Sequence, residues 1–314
     1  MQKLAAKFIP AADEVWRLQN RDDPECAFFQ RFCDQGHYGG RKGTRQGIYC
    51  ATPNGKLLAS INTTHPGRMA DMLRKALAAW KKIPKNERLW TENPEETPDQ
   101  IQRGENLYPE NGLVLKVHSR DLDRKDLPGD WRSEARNLDF AWFEQDEARD
   151  MLPEQAVRGA QHDWPAKLVH RLARFHLLDN VRGQTSPYKK RHLLEAKIRT
   201  EIVSVRKGIV QMKFVGTTRT SSSGTWPLDR AGRLSGSSES RGVQTRILGN
   251  ATFDSNQNTW IQFELVATGI RWGGTQYNFR KDDLAPAPIG FAFLLAGDTP
   301  SERVAPAFLH AYRR

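Results

Sequence analysis

At 314 residues the chain is long enough for two domains and a sizeable core, and it holds no run of about 18 apolar residues, which argues against a membrane-spanning helix. Its net charge of +11 is uneven: residues 1–90 and 151–314 are basic, while 91–150 carry 16 acidic against 8 basic side chains, so a basic balance alone is weak evidence for nucleic acid. The three cysteines, Cys26, Cys33 and Cys50, are odd in number, lack metal-ligand spacing and leave most of the chain without disulfides.

Lys7 to Glu14 reads as a short strand running into a turn. Asp23 to Gln35 reads as a helix, with Asp23 as its cap, Pro24 in its first turn and Phe28, Phe29 and Phe32 toward a core. Cys26 and Cys33 share a face of that helix roughly 10 Å apart along the axis, too far for a disulfide. The loop from Gly36 to Gly47 is rich in glycine and cations. Gly39, Gly40, Arg41 and Lys42 suit an anion held by backbone N–H groups, and the same composition suits a plain surface loop. Gly47 to Thr52 is a strand, Pro53-Asn54-Gly55 a turn and Lys56 to Asn62 a second strand. A helix follows, with Met69, Met72, Leu73, Leu77 and Trp80 at helical spacing and Pro84 as its stop.

The order strand, Asn-Gly turn, strand, helix, together with the phrase GIYCATPNGKLLAS, resembles the closing half of the thioredoxin-like superfamily over about residues 1–90. The resemblance implies an incomplete α/β module with a thiol-redox connection. The chain departs from the family in having no Cys-x-x-Cys, and Thr44-Arg45-Gln46-Gly47 stands where the family places a cis-proline. In that family a strand like Lys7–Glu14 follows the helix bearing the redox cysteines. The matching expectation is that Met1 is an internal start or the beginning of a fragment.

Residues 91–111 read as a linker rich in Pro, Asn and Glu. A second domain is expected over 112–314. Gly112 to His118 alternates as a strand, and 121–150 is acidic with scattered aromatics, read as an irregular or partly helical cover. A helix spans about 163–180, capped by Asp163 and ended by Asn180. Strands follow at 192–205, from Ile209, at 243–253, 259–269 and 289–295. The Ser-, Gly- and Arg-rich stretch 217–242 is a long loop or a wide hairpin tip, with enough Arg and Ser to touch phosphate. The fold class expected is α+β: the thioredoxin-like segment, then an antiparallel β-sandwich or barrel with one or two covering helices. The phrases RFHLLDNVRG and IGFAFLLAG are similar to those of exported bacterial multi-domain proteins with no assigned activity, which implies an extracytoplasmic setting, although MQKLAAKFIPAADE has no secretory apolar region.

Three places can carry chemistry. Cys50 is the candidate thiol, with Arg41, Lys42 and Arg45 near it in sequence to lower its pKa; a free cysteine in a strand is also a small buried hydrophobe. His176, Asp179 and Arg182 form the densest polar cluster, read either as an acid–base and anion site or as a helix end fixed by an Asp–Arg pair. Trp260 and Trp272, with Tyr277, Arg271 and Gly273-Gly274, offer an aromatic face to a sugar ring or a base, or serve as core and rim. No cofactor motif occurs, and the histidines show no zinc spacing. Two functions lead: a thiol-redox protein acting through Cys50, or a non-enzymatic module whose β domain recognises a sugar, peptide or protein partner; a third, nucleic-acid binding, predicts a steep salt dependence.

Overall fold

The computed structural model describes residues 2–13, 15–39, 44–89, 107–127, 129–229 and 239–312. It divides into two compact units, Met1–Ile101 and Gln102–Arg314. The expected linker 91–111 lies largely outside the described residues.

The first unit contains α1 (Gln2–Ala5), α2 (Val15–Asn20), α3 (Pro24–Cys33), β1 (Ile48–Ala51), β2 (Leu57–Ile61) and α4 (Pro66–Lys82). Asp23 caps α3 by accepting the Cys26 N–H at 3.1 Å. Gly55, at φ +80°, closes the β1–β2 turn, and the Thr52 N–H donates to the Lys56 carbonyl. His65 Nδ1 accepts the N–H groups of Gly67 and Arg68 at the start of α4, and Pro84 follows its end. The face of α4 carrying Met72, Leu73 and Ala76 closes over Cys50 and Ala59.

The hairpin and helix therefore form where the periodicity places them, but the thioredoxin-like module does not. β1 and β2 make a two-stranded antiparallel sheet, with no parallel pair and no third strand among the described residues. Of the expected strand Lys7–Glu14, the described residues 7–13 are not a strand: Ile9 is 98% exposed, and Pro10 has no N–H to give a ladder. A local strand–turn–strand–helix pattern is compatible with many sheets. Only the long-range pairing distinguishes a small hairpin layer from a mixed α/β core.

The second unit is built on one eight-stranded antiparallel sheet. Its strands are β3 (Leu113–Asp121), β4 (Arg136–Phe143), β5 (Gln161–Asp163), β6 (Leu193–Arg206), β7 (Ile209–Gly224), β8 (Glu239–Asp254), β9 (Thr259–Trp272) and β10 (Ala287–Leu295). Their order is β4-β3-β10-β9-β8-β7-β6-β5. The two end strands do not pair, so the expected sandwich or barrel is replaced by an open sheet. In the meander β6 to β10, short turns join β6 to β7 and β8 to β9, while the longer segments 225–238 and 273–286 join β7 to β8 and β9 to β10; β3 and β4 add beside β10, which is interior rather than terminal.

One face of the sheet is apolar. Ile198, Met212, Phe214, Ile247, Leu265 and Phe291 belong to a single core. The helix α5 (Ala166–Arg171) packs on β6, and a π-helical turn, Leu172–His176, reaches β4, β6 and β7. The other face is largely polar, with an exposed aliphatic row of Val215, Leu248 and Val266 paired across β7, β8 and β9. Asp163, expected to cap the helix, lies instead in β5 and pairs with Arg199 at 2.6 Å; Pro165 precedes α5. Part of the supposed loop 217–242 is strand, since β7 runs on to Gly224 and β8 begins at Glu239. The acidic cover 121–150 hides β4, whose last five residues are buried.

Both edges are protected against further pairing. β5 is only three residues long. At β4, residues 296–312 pack over Val114, Phe140 and Trp142, with Leu309 buried among them and Lys116 bonded to Glu302.

Candidate functional site

Three loops meet beside the ends of β3, β7, β8 and β9: residues 178–192, 224–229 and 273–286. Buried charge holds two of them in place. Arg280 donates to both oxygens of Asp121, at 2.7 and 2.8 Å, and to both oxygens of Asp179, at 2.7 Å each. Arg182 reaches Asp121 at 2.7 Å and Asp283 at 2.8 Å. Arg271 and Arg124 complete the pairing of Asp283. Burial by itself would raise the Asp121 carboxyl, but hydrogen bonds and charge from Arg280 and Arg182 hold it below its ordinary value. Asp283 is depressed further, against its own burial, by Arg271 and Arg124. Asp121 and Asp283 stay ionised, and together with Asp179 they anchor the loops through these arginines.

The loops approach closely. A side chain at Gly183 would meet the Tyr277 carbonyl at 2.2 Å, and one at Gly273, whose φ is +74°, would meet the Ser240 carbonyl at 1.9 Å. Between them lies an open groove of about 540 Å³. Trp226 and Tyr277 are its aromatic lining residues. The Trp226 indole donates to the Gly274 carbonyl at 2.8 Å, whereas the Tyr277 ring is half exposed. Hydroxyls of Ser186, Ser222, Ser223, Thr225 and Thr275 line it, together with the cations Lys189, Arg191 and Arg241. His192 shares the wall. Burial first, then the charges of Arg191, Arg241 and Lys189, push its pKa down, and its Nδ1 accepts the Lys189 N–H at 3.3 Å. No aspartate or glutamate lines the groove among the described residues.

The sequence candidates fall in different places. His176, Asp179 and Arg182 are all buried and do not share a pocket. Asp179 pairs with Arg280, not Arg182. His176 lies on the π-turn, with its Nδ1 3.0 Å from Asp139 and its Nε2 bonded to the Tyr312 hydroxyl. The ionised Asp139 also accepts the Ala307 N–H, so the imidazole's Nδ1–H donates to it and Tyr312 donates to Nε2. Burial raises the Tyr312 phenol well above its usual range, so this hydroxyl is a donor rather than a nucleophile. Trp260 is in the core against Phe253 and Phe263. It does not share a face with Gln262 and Glu264, because Ile261 is an extra unpaired residue that reverses the alternation. Trp272, twelve residues on, donates to Ser240 and is half buried outside the groove lining.

Cys50 is buried, with its sulfur 3.7 Å from Met72 Sδ, and burial raises its pKa. The cations expected to activate it are not shown beside it: Arg45 pairs with Asp34 at 2.7 Å, while Gly40, Arg41 and Lys42 lie outside the described residues. Gly39 is described, at φ +44° in a turn. Among the described residues no three His, Cys, Asp or Glu side chains are grouped as metal ligands, and no helix is long and apolar enough to cross a membrane.

Of the groove residues, sequence reasoning singled out Tyr277 but not Lys189, Arg191, Trp226 or Arg241. The signal was composition alone: a Ser- and Arg-rich stretch flanking a tryptophan. Nothing in it joined residue 189 to residue 241 or 277. No family model matches this chain, and neither a curated protein nor a solved structure does.

Proposed function

We propose that the second unit is a non-catalytic recognition module and that its groove takes a polyhydroxylated ligand, a saccharide. The observation that carries this reading is the groove's lining, in which five serine and threonine residues stand together with the aromatic rings of Trp226 and Tyr277. Sugar hydroxyls exchange hydrogen bonds with Ser and Thr, and the apolar face of a pyranose stacks on an aromatic ring. The volume falls within the range of about 300–1,000 Å³ common for small-ligand sites. No activated nucleophile or acid–base pair faces the groove among the described residues, which favours binding over catalysis.

The thiol-redox reading is not carried forward, since a buried cysteine whose pKa is raised has little thiolate with which to attack. Titration calorimetry of the full chain against neutral and charged oligosaccharides tests the proposal. At least one is expected to bind, and Tyr277→Ala, at a half-exposed ring, is expected to weaken it about tenfold, near the upper end of what one aromatic contact supplies. Absence of binding to every saccharide sinks the reading.

A further inference from the structure

We infer that the saccharide taken at this groove is anionic, bearing a carboxylate or a sulfate, and that Arg241 receives the charged group while Lys189 and Arg191 flank it. This rests on the reading of the groove as a saccharide site. It adds the ligand's charge and the residue that senses it.

The argument starts from Arg241. This side chain is about nine-tenths buried at the groove wall. Its guanidinium donates to Thr185 Oγ1 at 3.1 Å and to the Ser186 carbonyl at 2.9 Å, and it lies 4.5 Å over the Tyr188 ring. All three partners are neutral. Every other largely buried arginine of the three-loop network has a carboxylate: Arg280 has Asp121 and Asp179, Arg182 has Asp121 and Asp283, and Arg271 has Asp283. Arg241 has none among the described residues. Asp179 acts on it only through space and is already bonded to Arg280 through both oxygens. A buried cation without a counter-charge is costly to keep, and a fold that neutralises its other buried arginines has left this one beside open space. An anion in the groove supplies the missing charge.

The surroundings agree. Lys189 and Arg191 are exposed on the same wall, so three cations share the lining, with no acidic residue in it among the described residues. Their joint field is visible at His192, whose pKa is lowered by burial and then by each of the three. Serine and threonine residues share the lining with these cations, which matches a ring carrying several hydroxyls and one anionic substituent. A nucleic acid strand asks instead for a longer basic track with serial stacking platforms; two aromatic rings in a bounded groove do not make one.

Titration calorimetry of the full chain is run with an oligogalacturonate trimer, a sulfated trisaccharide, a neutral trisaccharide, inorganic sulfate and a single-stranded oligonucleotide. At least one charged trisaccharide is expected to bind ten-fold or more tightly than the neutral one, with affinity falling as salt rises. The trimer and the sulfated sugar separate carboxylate from sulfate recognition. Lys189→Gln and Arg191→Gln, both at exposed positions, are each expected to cost a few-fold in affinity for the charged sugar. Arg241→Gln is expected to bring the charged-to-neutral ratio to within two-fold. Because Arg241 is buried and its variant can fail to fold, the NMR titration of His192 in the unsubstituted protein is the independent readout. The imidazole pKa should rise on saturation with the charged sugar and stay unchanged with the neutral one. Equal binding of neutral and charged sugars, with His192 unmoved, overturns the inference and leaves the saccharide reading standing. No saccharide binding, binding of inorganic sulfate alone, or tighter binding of the oligonucleotide than of any sugar overturns both.

Discussion

A cysteine's reactivity is decided by its surroundings, and those of Cys50 are apolar. Its sulfur touches Met72 Sδ, with Ala59, Leu73 and Ala76 in the same cluster. Burial raises the Cys50 thiol, and it pushes both Cys26 and Cys33 up to about 11, helped at each by a neighbouring aspartate, Asp23 or Asp34. In native buffer at pH 7.5, iodoacetamide is expected to leave all three cysteines unmodified, while the same reagent in denaturant labels three. Mass spectrometry reads the difference, and rapid labelling of Cys50 in the folded chain would return it to consideration as a reactive thiol. The sequence carried the residue and its strand but not its cover. Helix α4, starting sixteen residues later, brings Met72 over Cys50, and only packing makes that contact.

At the scale of elements, the β4 edge shows how distant segments complete one another. The π-turn at Leu172–His176 is closed by the Leu177 N–H donating to the Leu172 carbonyl, and it sets His176 between Asp139 on β4 and Tyr312 near the C-terminus. Arg171 adds to this seal, with its guanidinium 4.7 Å over the Tyr312 ring and bonded to both Glu147 oxygens at 2.6 Å. Tyr312→Phe keeps the ring and removes the donor, so His176 Nε2 is left buried without its partner. The expected cost is about 1–3 kcal/mol. It should appear as a lower urea midpoint with an unchanged slope. An unchanged midpoint would show that the hydroxyl contributes nothing to the seal. From sequence, β4 is obscured by acidic neighbours, and its aromatic run, Phe140-Ala141-Trp142-Phe143, is buried on both faces, so strand alternation fades where burial is greatest.

For the whole second unit, the buried charges predict how stability follows pH. Asp121, Asp139, Glu147 and Asp283 all have pKa values below their ordinary 3.8 or 4.5, each against its own burial and because of Arg280, His176, Arg171 or Arg271. A depressed carboxyl favours the folded state at pH above its unfolded value, and that support is lost as pH falls below it. His170 and His192 are also lowered from 6.5, both by burial first, so the unfolded chain takes up their protons sooner on acidification. The signs agree: a shallow decline below about pH 6.5 and a steeper one below about 4.5. Urea midpoints from pH 3 to 8 check this. A profile flat down to pH 3 would mean that the Asp–Arg network has no net preference for ionised carboxylates.

The sequence alone carried what depends on near neighbours in the chain. The Asp23 cap, the Asn-Gly turn, the helix before Pro84, and most strands of the second unit follow from spacing over a few residues. The tertiary structure decided whatever depends on pairing over long separations. It made the first sheet a two-stranded layer instead of a thioredoxin-like core and left the second sheet open. It also matched Asp179 with Arg280, 101 residues away, rather than with its near neighbour Arg182. The groove belongs to this second kind. Its cations, hydroxyls and rings come from three loops and from the ends of β7 and β8, segments up to about ninety residues apart, and no local rule distinguishes an arginine that will find a carboxylate from one that will be buried without it.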